Sequence, residues 1–316
     1  MLYVVYTVME DYPRTLAEFD EWFDTEEACR KYLFRLRWPE GFICPRCQAT
    51  KEWPSKRDLF ICASCGYQVS VTSGTIFENT RKPLTIWFRA IWWVTSQKTG
   101  ANALSLQRIL GLGRYYTAWT WLHKLRRAMV RPGRDCLSGQ IEVDETYIGG
   151  KKEGKRGRGA SGKSLVVIAT EINGNNIGRI RLNRVPDASA ESLEEAIKQA
   201  AAPRSIIQTD GWNGYNGLYT IGYIHDVIRK TAEIGDNLLP HCNRGASLLK
   251  RWLMGTHQGA VSSEHLDYYL DEYTFRFNRR TSRSRGKLSY RLIQQAVSME
   301  ATPYKSMVKH VRGRKS

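Results

Sequence analysis

The chain has 316 residues, 42% of them hydrophobic, with a formal net charge of +17 and a pI near 9.6. That length allows about two or three domains with a packed core, and no apolar run approaches the ~20 residues that a membrane-spanning helix needs. The excess of Lys and Arg asks for a polyanionic partner, nucleic acid ahead of an anionic membrane surface.

In chain order, the apolar opening from Met1 to Met9 lacks a leading positive residue and runs into Glu10 and Asp11. It is a poor signal peptide, and reads as a strand or an unstructured extension. Residues 14–40 read as a small helical lead-in. One helix starts at Thr15 and another at Thr25, the second with Glu26 and Glu27 where acids complement the helix dipole. Cys29 stands alone there and reads as a core residue. Seven cysteines, an odd number, include two CxxC pairs, Cys44/Cys47 and Cys62/Cys65. Two such knuckles place four thiolates around one metal, the pattern of a closed structural zinc site in a reducing compartment. Trp53, Leu59, Phe60 and Ile61 between the pairs supply a hairpin, and residues 69–80 fit a closing strand.

Helical spacing returns at Trp87, Ala90, Ile91 and Val94. It continues from Ala103 to Leu110 and, after Gly111-Leu112-Gly113, from Arg114 to Val130. Two short helices around a glycine turn, the second basic and aromatic, fit either a helix-turn-helix with Arg126 and Arg127 toward DNA or a plain packing unit. Arg131-Pro132-Gly133-Arg134 reads as a linker. Beyond it, Gln140–Ile148 alternates as a strand, followed by Gly149-Gly150 and a basic loop with Lys151, Lys152, Lys155, Arg156, Arg158 and Lys163. That loop is either a phosphate-contacting arm or a solvated loop. Strands follow at Ser164 to Glu171 and Ile177 to Val185, joined by the turn residues Asn173-Gly174. A helix over Ala188 to Ile197, strands at Ser205 to Gly211 and Ile224 to Ile228, and a helix from Asn243 complete the pattern. Three antiparallel strands, helix, strand, strand, helix is the order of an α/β, ribonuclease-H-like domain with a mixed five-stranded sheet. The expected division is a lead-in (1–40), a zinc ribbon (41–80), a helical or helix-turn-helix region (81–134), the ribonuclease-H-like domain (135–300) and a basic tail (301–316).

Acidic residues are poor strand formers, so Glu142, Asp144 and Glu145 within one strand need a reason: metal ligation, or pairing with the basic loop. Asp210 stands at the C-terminal end of a strand, where α/β sheets open their ligand sites, although an aspartate before Gly also starts turns. Carboxylates from two strands can bridge two Mg2+ or Mn2+ ions about 3.5–4 Å apart. One ion then activates the attacking oxygen and the other stabilises the leaving one; hard oxygen ligands suit these ions. Asn243 and Lys250 are seven residues apart, about two helical turns, and face the same way.

The chain resembles the zinc-ribbon DDE transposases of bacterial insertion sequences. The resemblance rests on the four-cysteine ribbon, Val143-Asp144-Glu145-Thr146-Tyr147-Ile148-Gly149-Gly150, Thr209-Asp210-Gly211-Trp212-Asn213-Gly214-Tyr215, Gly222-Tyr223-Ile224-His225, and Tyr269 to Arg280. It implies that Asp144 and Asp210 are the first two metal ligands. The third place, usually glutamate with a lysine seven residues on, holds Asn243, with Lys250 at the expected offset. An amide supplies an oxygen without the charge. The alternative is that Asn243 caps its helix in a crippled copy, with His241, Asp236 and Glu233 as nearby stand-ins. Lys250, Arg251, Arg276, Arg279 and Arg280 are expected to contact DNA, continued by Arg283 and Arg285 and by a tail with Lys305, Lys309, Arg312, Arg314 and Lys315. The implied function is transposition: binding the terminal inverted repeats, freeing 3' ends by hydrolysis and joining them to target DNA. Zinc would be structural and Mg2+ or Mn2+ catalytic, in a homodimer or larger assembly on double-stranded DNA, in the bacterial cytoplasm and free of membranes. A zinc-stabilised repressor without catalysis and a plain metal-dependent nuclease are the rival functions.

Overall fold

The computed structural model describes residues 10–55, 57–131, 133–149, 163–231, 235–259, 261–304 and 307. The expectations for residues 1–9, for Glu233, for the basic loop from Gly150 through Arg158 and for the tail lysines and arginines fall outside these residues. The chain forms two compact units: Met1–Lys98 with Ala103–Ala128 and Ser282–Pro303, and Thr99–Asn102 with Met129–Thr281 and Tyr304–Ser316.

In the first unit, α1 (Leu16–Trp22) and α2 (Glu26–Arg37) start on Thr15 and Thr25, whose hydroxyls accept from the backbone N–H of Glu18 and Ala28, each at 3.2 Å. These caps satisfy donors that a helix start leaves orphaned. Phe19 and Phe23 of this lead-in pack edge-on at 5.1 Å, and Phe23 meets Phe88 at 4.7 Å. Cys29 is fully buried, and burial pushes its thiol up to about 12.

The ribbon is an antiparallel sheet of β1 (Glu52–Pro54), β2 (Phe60–Cys62) and β3 (Gln68–Val69). The thiol atoms of Cys44, Cys47, Cys62 and Cys65 all lie within 4.8 Å of one another. Cys44 and Cys65 sulfurs are 3.7 Å apart and those of Cys47 and Cys62 3.5 Å. Tetrahedral zinc with bonds of 2.3 Å sets its sulfurs about 3.8 Å apart, so the cradle fits that ion. The closing strand expected over residues 69–80 is cut to two residues. Ser70 and Ser73 exchange side-chain-to-backbone bonds of 3.1–3.2 Å, and the Thr75 hydroxyl donates to the Thr72 carbonyl at 2.7 Å. These hydroxyls offer the backbone turn partners in place of a ladder.

Three helices follow, α3 (Leu84–Ser96), α4 (Ala103–Ile109) and α5 (Tyr115–Ala128). Trp87 of α3 stacks on Trp121 of α5 with centroids 3.7 Å apart. Arg126 is 2% exposed. This burial corrects the expectation that Arg126 faces DNA beside Arg127, because no phosphate reaches a guanidinium inside a helical core.

The second unit holds a five-stranded sheet in the order β6-β5-β4-β7-β8. Strands β4 (Gln140–Ile148), β5 (Ser164–Asn173) and β6 (Asn176–Val185) run antiparallel, while β7 (Ile206–Thr209) and β8 (Ile224–Val227) join β4 in parallel. This mixed sheet has the ribonuclease-H-like arrangement. Asn173 pairs with Asn176 around Gly174, whose φ of 57° is the left-handed conformation that a tight hairpin turn requires. Helix α6 (Ala190–Ala200) covers one face, with Leu193 and Ile197 on Ile141, Val143 and Val167. Helices α7 (Pro240–His257) and α8 (Leu266–Asn278) cover the other, with Leu249, Leu253 and Leu270 on Val166, Ile168 and Ile180. The last helix, α9 (Arg285–Ser298), lies in the first unit and meets α2, α3 and α5. The stretch 135–300 is therefore not one compact body.

Chelating the ribbon metal at neutral pH is expected to release a single zinc per chain and open residues 41–69 to protease. A ribbon that keeps its protease resistance after zinc is gone would refute a structural role. On β5, Glu171 accepts from the Arg179 side chain of β6 at 2.8 and 3.1 Å. These bonds, ahead of the backbone N–H groups of Arg179 and Ser138, hold its carboxyl below the usual carboxylate range. Such stabilisation is complete above the unfolded value of about 4.3 and lost as pH falls through the lower folded value. Replacing Glu171 by Gln should lower the melting temperature at pH 7 by ~2–4 °C, for at most about 1 kcal/mol at this part-exposed pair. The gap to the parent protein should close under acid; a gap that persists at pH 2 would contradict the linkage.

Candidate active site

Alternation on β4 sorts its residues between two faces. Ile141 and Val143 go to the α6 side and Glu142 and Asp144 to the α7 side, where both carboxylates act on the buried Cys242 thiol. Glu145 faces the first core, where the buried Tyr215 hydroxyl donates to it at 2.6 Å; burial, then Glu145, drives that phenol well above its ordinary pKa. Of the three acids expected to need a reason, Glu145 is thus held by a tyrosine and not by the Asp144 side.

Strand β7 runs parallel to β4 with Gln140 opposite Ile206, Ile141 opposite Ile207 and Glu142 opposite Gln208. The pairing ends there; Asp144 lies two residues further along β4, and Asp210 one residue beyond the end of β7. Neighbouring strands are about 4.8 Å apart, and β4 and β7 run side by side toward the same end of the sheet, with Asp144 within one and Asp210 just past the other. The end of β7 is pinned: the Thr209 hydroxyl is 2.8 Å from Nε2 of His225 on β8, and burial keeps that imidazole below its usual pKa. After Asp210 the chain turns at once. Its Oδ1 accepts from Trp212 N at 3.0 Å, and Gly211 has φ 79°. A Cβ on Gly211 would lie 2.7 Å from Val227 Cγ1, so both the conformation and the space demand glycine.

The α7 helix begins at Pro240, after Leu239, not at Asn243. Asn243 donates its own N–H to the Leu239 carbonyl at 2.9 Å, so it lies inside the helix and is not a cap. Its exposed amide Nδ2 donates to Asn237 Oδ1 at 2.7 Å. That bond turns Oδ1, the end able to hold a cation, away from Asn237. Lys250 shares the flank of Asn243. Burial and then Lys163 lower its pKa while Asp144 raises it, so Asp144 is near enough to act on Lys250. On the opposite flank, Trp252 meets Tyr273 of α8.

Glu142 is a contact that sequence reasoning did not find. It is 3% exposed, accepts from His241 Nδ1 at 2.6 Å and from Cys242 N at 2.8 Å, and so ties the first turn of α7 to β4. The signal available was its parity with Asp144; its partners lie about a hundred positions downstream. The Cys242 sulfur donates to the Ile168 carbonyl at 3.3 Å, and burial keeps the thiol protonated.

The cationic run looks different from its sequence. Arg276 pairs at 2.8 Å with Glu272, whose side chain is wholly buried. Arg279 donates to Phe275 O at 3.3 Å and lies over its ring at 4.2 Å. Arg280 donates to Gly178, Ile177 and Phe277 carbonyls and covers the Phe277 ring. Of these, Arg280 ties the end of α8 to β6, while Arg276 and Arg279 bond within α8, so the expected DNA-contacting run is also engaged in holding the fold. Arg251 and Lys250 remain exposed on α7, and Arg127 is half-buried.

Among the described residues no helix is long and apolar enough to cross a membrane. Residues 24–68 match the transposase zinc-ribbon domain and residues 136–278 the ISXO2-like transposase domain. A protein of transposable element ISH50 from Halobacterium salinarum (strain ATCC 700922 / JCM 11081 / NRC-1), described as uncharacterized, is 26% identical over 294 residues, spanning 86% of this chain and 96% of that one. A chain in a cryo-EM structure of the simian T-cell lymphotropic virus intasome in complex with PP2A regulatory subunit B56 gamma matches at 12% identity and a TM-score of 0.30. It covers 54% of this chain and 63% of its own. With the four-cysteine ribbon ahead of a ribonuclease-H-like sheet, and a family match to each, the chain belongs to the zinc-ribbon DDE transposases of insertion sequences.

Proposed function

We propose that this transposase cuts and joins DNA with Asp144, Asp210 and Asn243 as the residues that hold divalent cations, Mg2+ or Mn2+. The observation that supports this reading is the parallel pairing of β4 and β7, adjacent strands of which one carries Asp144 and the other leads to Asp210 just past its end. Their hard oxygens, joined by the Asn243 amide oxygen, suit those ions and not zinc. When bound, the cations supply activation of the attacking water or 3'-hydroxyl and stabilisation of the leaving oxygen. The chain's own part is positional. The turn at Gly211 sets Asp210 at the sheet edge, Asn237 orients the Asn243 amide, and Lys250 offers a cation to a phosphate near the cut.

The DNA would be the terminal inverted repeats and then the target, handled by a homodimer or larger assembly so that both ends react together. Exposed Tyr115 and Tyr116 with Arg114 at the start of α5, packed against α4 across a glycine turn, suit the reading helix of a helix-turn-helix. Arg127 and Arg251 add cations for the phosphate backbone.

Asp144→Ala and Asp210→Ala should each reduce Mg2+-dependent 3'-end cleavage and strand transfer at least ~100-fold, while affinity for the repeat changes less than about twofold. Full activity in both variants would reject the assignment; cleavage without joining in the parent protein would make it a nuclease, and repeat binding with neither would make it a repressor. For the third position, Asn243→Ala should lose activity and Asn243→Glu should retain it. An Ala variant as active as the parent removes Asn243 from the site without touching the two aspartates.

A further inference from the structure

A site with a neutral third ligand has two carboxylates facing its cations where the resemblance leads one to expect three. A third carboxylate is nonetheless at hand. Glu142 lies two residues before Asp144 on the same face of β4, about 6.6–7 Å along the strand. It is 3% exposed, and its two oxygens are fully engaged on the α7 side, one by His241 Nδ1 at 2.6 Å and one by Cys242 N at 2.8 Å. Both donors immediately precede Asn243. Among the described residues no Lys or Arg pairs with Glu142; its basic partner is His241, whose contact is an ion pair only when the imidazole is protonated. A carboxylate is rarely buried this deeply without partners, and its partners here are the helix turn that carries the neutral ligand. In surroundings of low dielectric its field is poorly screened over that distance.

We propose that Glu142 is a positioning residue that returns to the site the negative charge Asn243 lacks, while fastening the Asn243 turn of α7 to the strand of Asp144. The inference rests on the reading of Asp144, Asp210 and Asn243 as the cation-holding set. It does not require Glu142 to touch the cation. Charge removed at position 142 can then be restored at position 243, because both act on the same ions.

The test is Mn2+ affinity of the zinc-loaded, full-length protein, read by electron paramagnetic resonance, which needs no DNA and no turnover. Glu142→Gln keeps the shape and an acceptor but loses the charge, and should weaken Mn2+ binding about tenfold. The double variant Glu142→Gln/Asn243→Glu should return to within about twofold of the parent. Asn243→Glu alone should bind Mn2+ about tenfold more tightly, a measurement that stands even if Glu142→Gln does not fold. Unchanged affinity in Glu142→Gln, a loss that the second substitution fails to restore, or no gain in Asn243→Glu alone would each overturn the proposal. Asp144→Ala separates the two levels. Loss of Mn2+ binding there with no effect at Glu142 defeats only this inference, whereas unchanged binding in Asp144→Ala defeats the underlying assignment.

Discussion

The second unit depends on the parity of a single strand. Central to its sheet, β4 carries hydrophobic and acidic residues in alternation, and the two cores it separates fix which set goes where. A slip of one residue would put Glu142 and Asp144 against Leu193 and Ile197, and Val143 against the start of α7. Burying those carboxylates without donors is far costlier than losing any one ladder bond. The hydrophobic pattern that folds the sheet is thus also what aims the acids.

The neighbouring elements elaborate that choice. The parallel partner β7 leads to Asp210 just past its end, and His225, Gly211 and Val227 settle how that strand ends. On the other side α7 is docked through polar groups at its first turn and apolar ones further along, Cys242 and Leu249 among them. A helix that starts with Leu239 and Pro240 has no side-chain cap, and the buried Glu142 carboxylate meets one of its orphan N–H groups instead. Stability and geometry of the site are here the same contact.

Much of this was legible in the sequence because it is local. The alternation over Gln140–Ile148, the Asn173-Gly174 turn and the two CxxC pairs each announce their structure within a few residues. What was not legible turns on distant partners. Nothing near Arg280 says that the carbonyls of Ile177 and Gly178, about a hundred positions upstream, will take up its guanidinium, so part of a structural fastening reads like a DNA-binding run. The start of α7 was set three residues late because Asn243 is a good capping residue and Leu239 is not, and the capping group comes from another strand. The strand expected after Val69 failed on hydroxyl chemistry, since Ser70, Ser73 and Thr75 bond their own backbone. At the site, the position of Asp210 just past a strand follows from strand-end logic, whereas the contacts of Glu142 depend on a residue 99 positions away.

Helix α9 shows how the chain is threaded. It returns to the first unit after the whole ribonuclease-H-like sheet has been made, and Gly286 accepts Pro13 so closely that a Cβ would stand 1.8 Å from its carbonyl oxygen. Glu10 pairs there with Lys287 and Arg291, and Tyr12 lies against Tyr290 at 5.6 Å. The segment from Glu10 to Pro13 therefore waits for its partner until residues 286–291 have been made. Neither body can be excised as a continuous piece of gene, and residues 10–13 stay unseated until the sheet that precedes α9 in the chain has been synthesised.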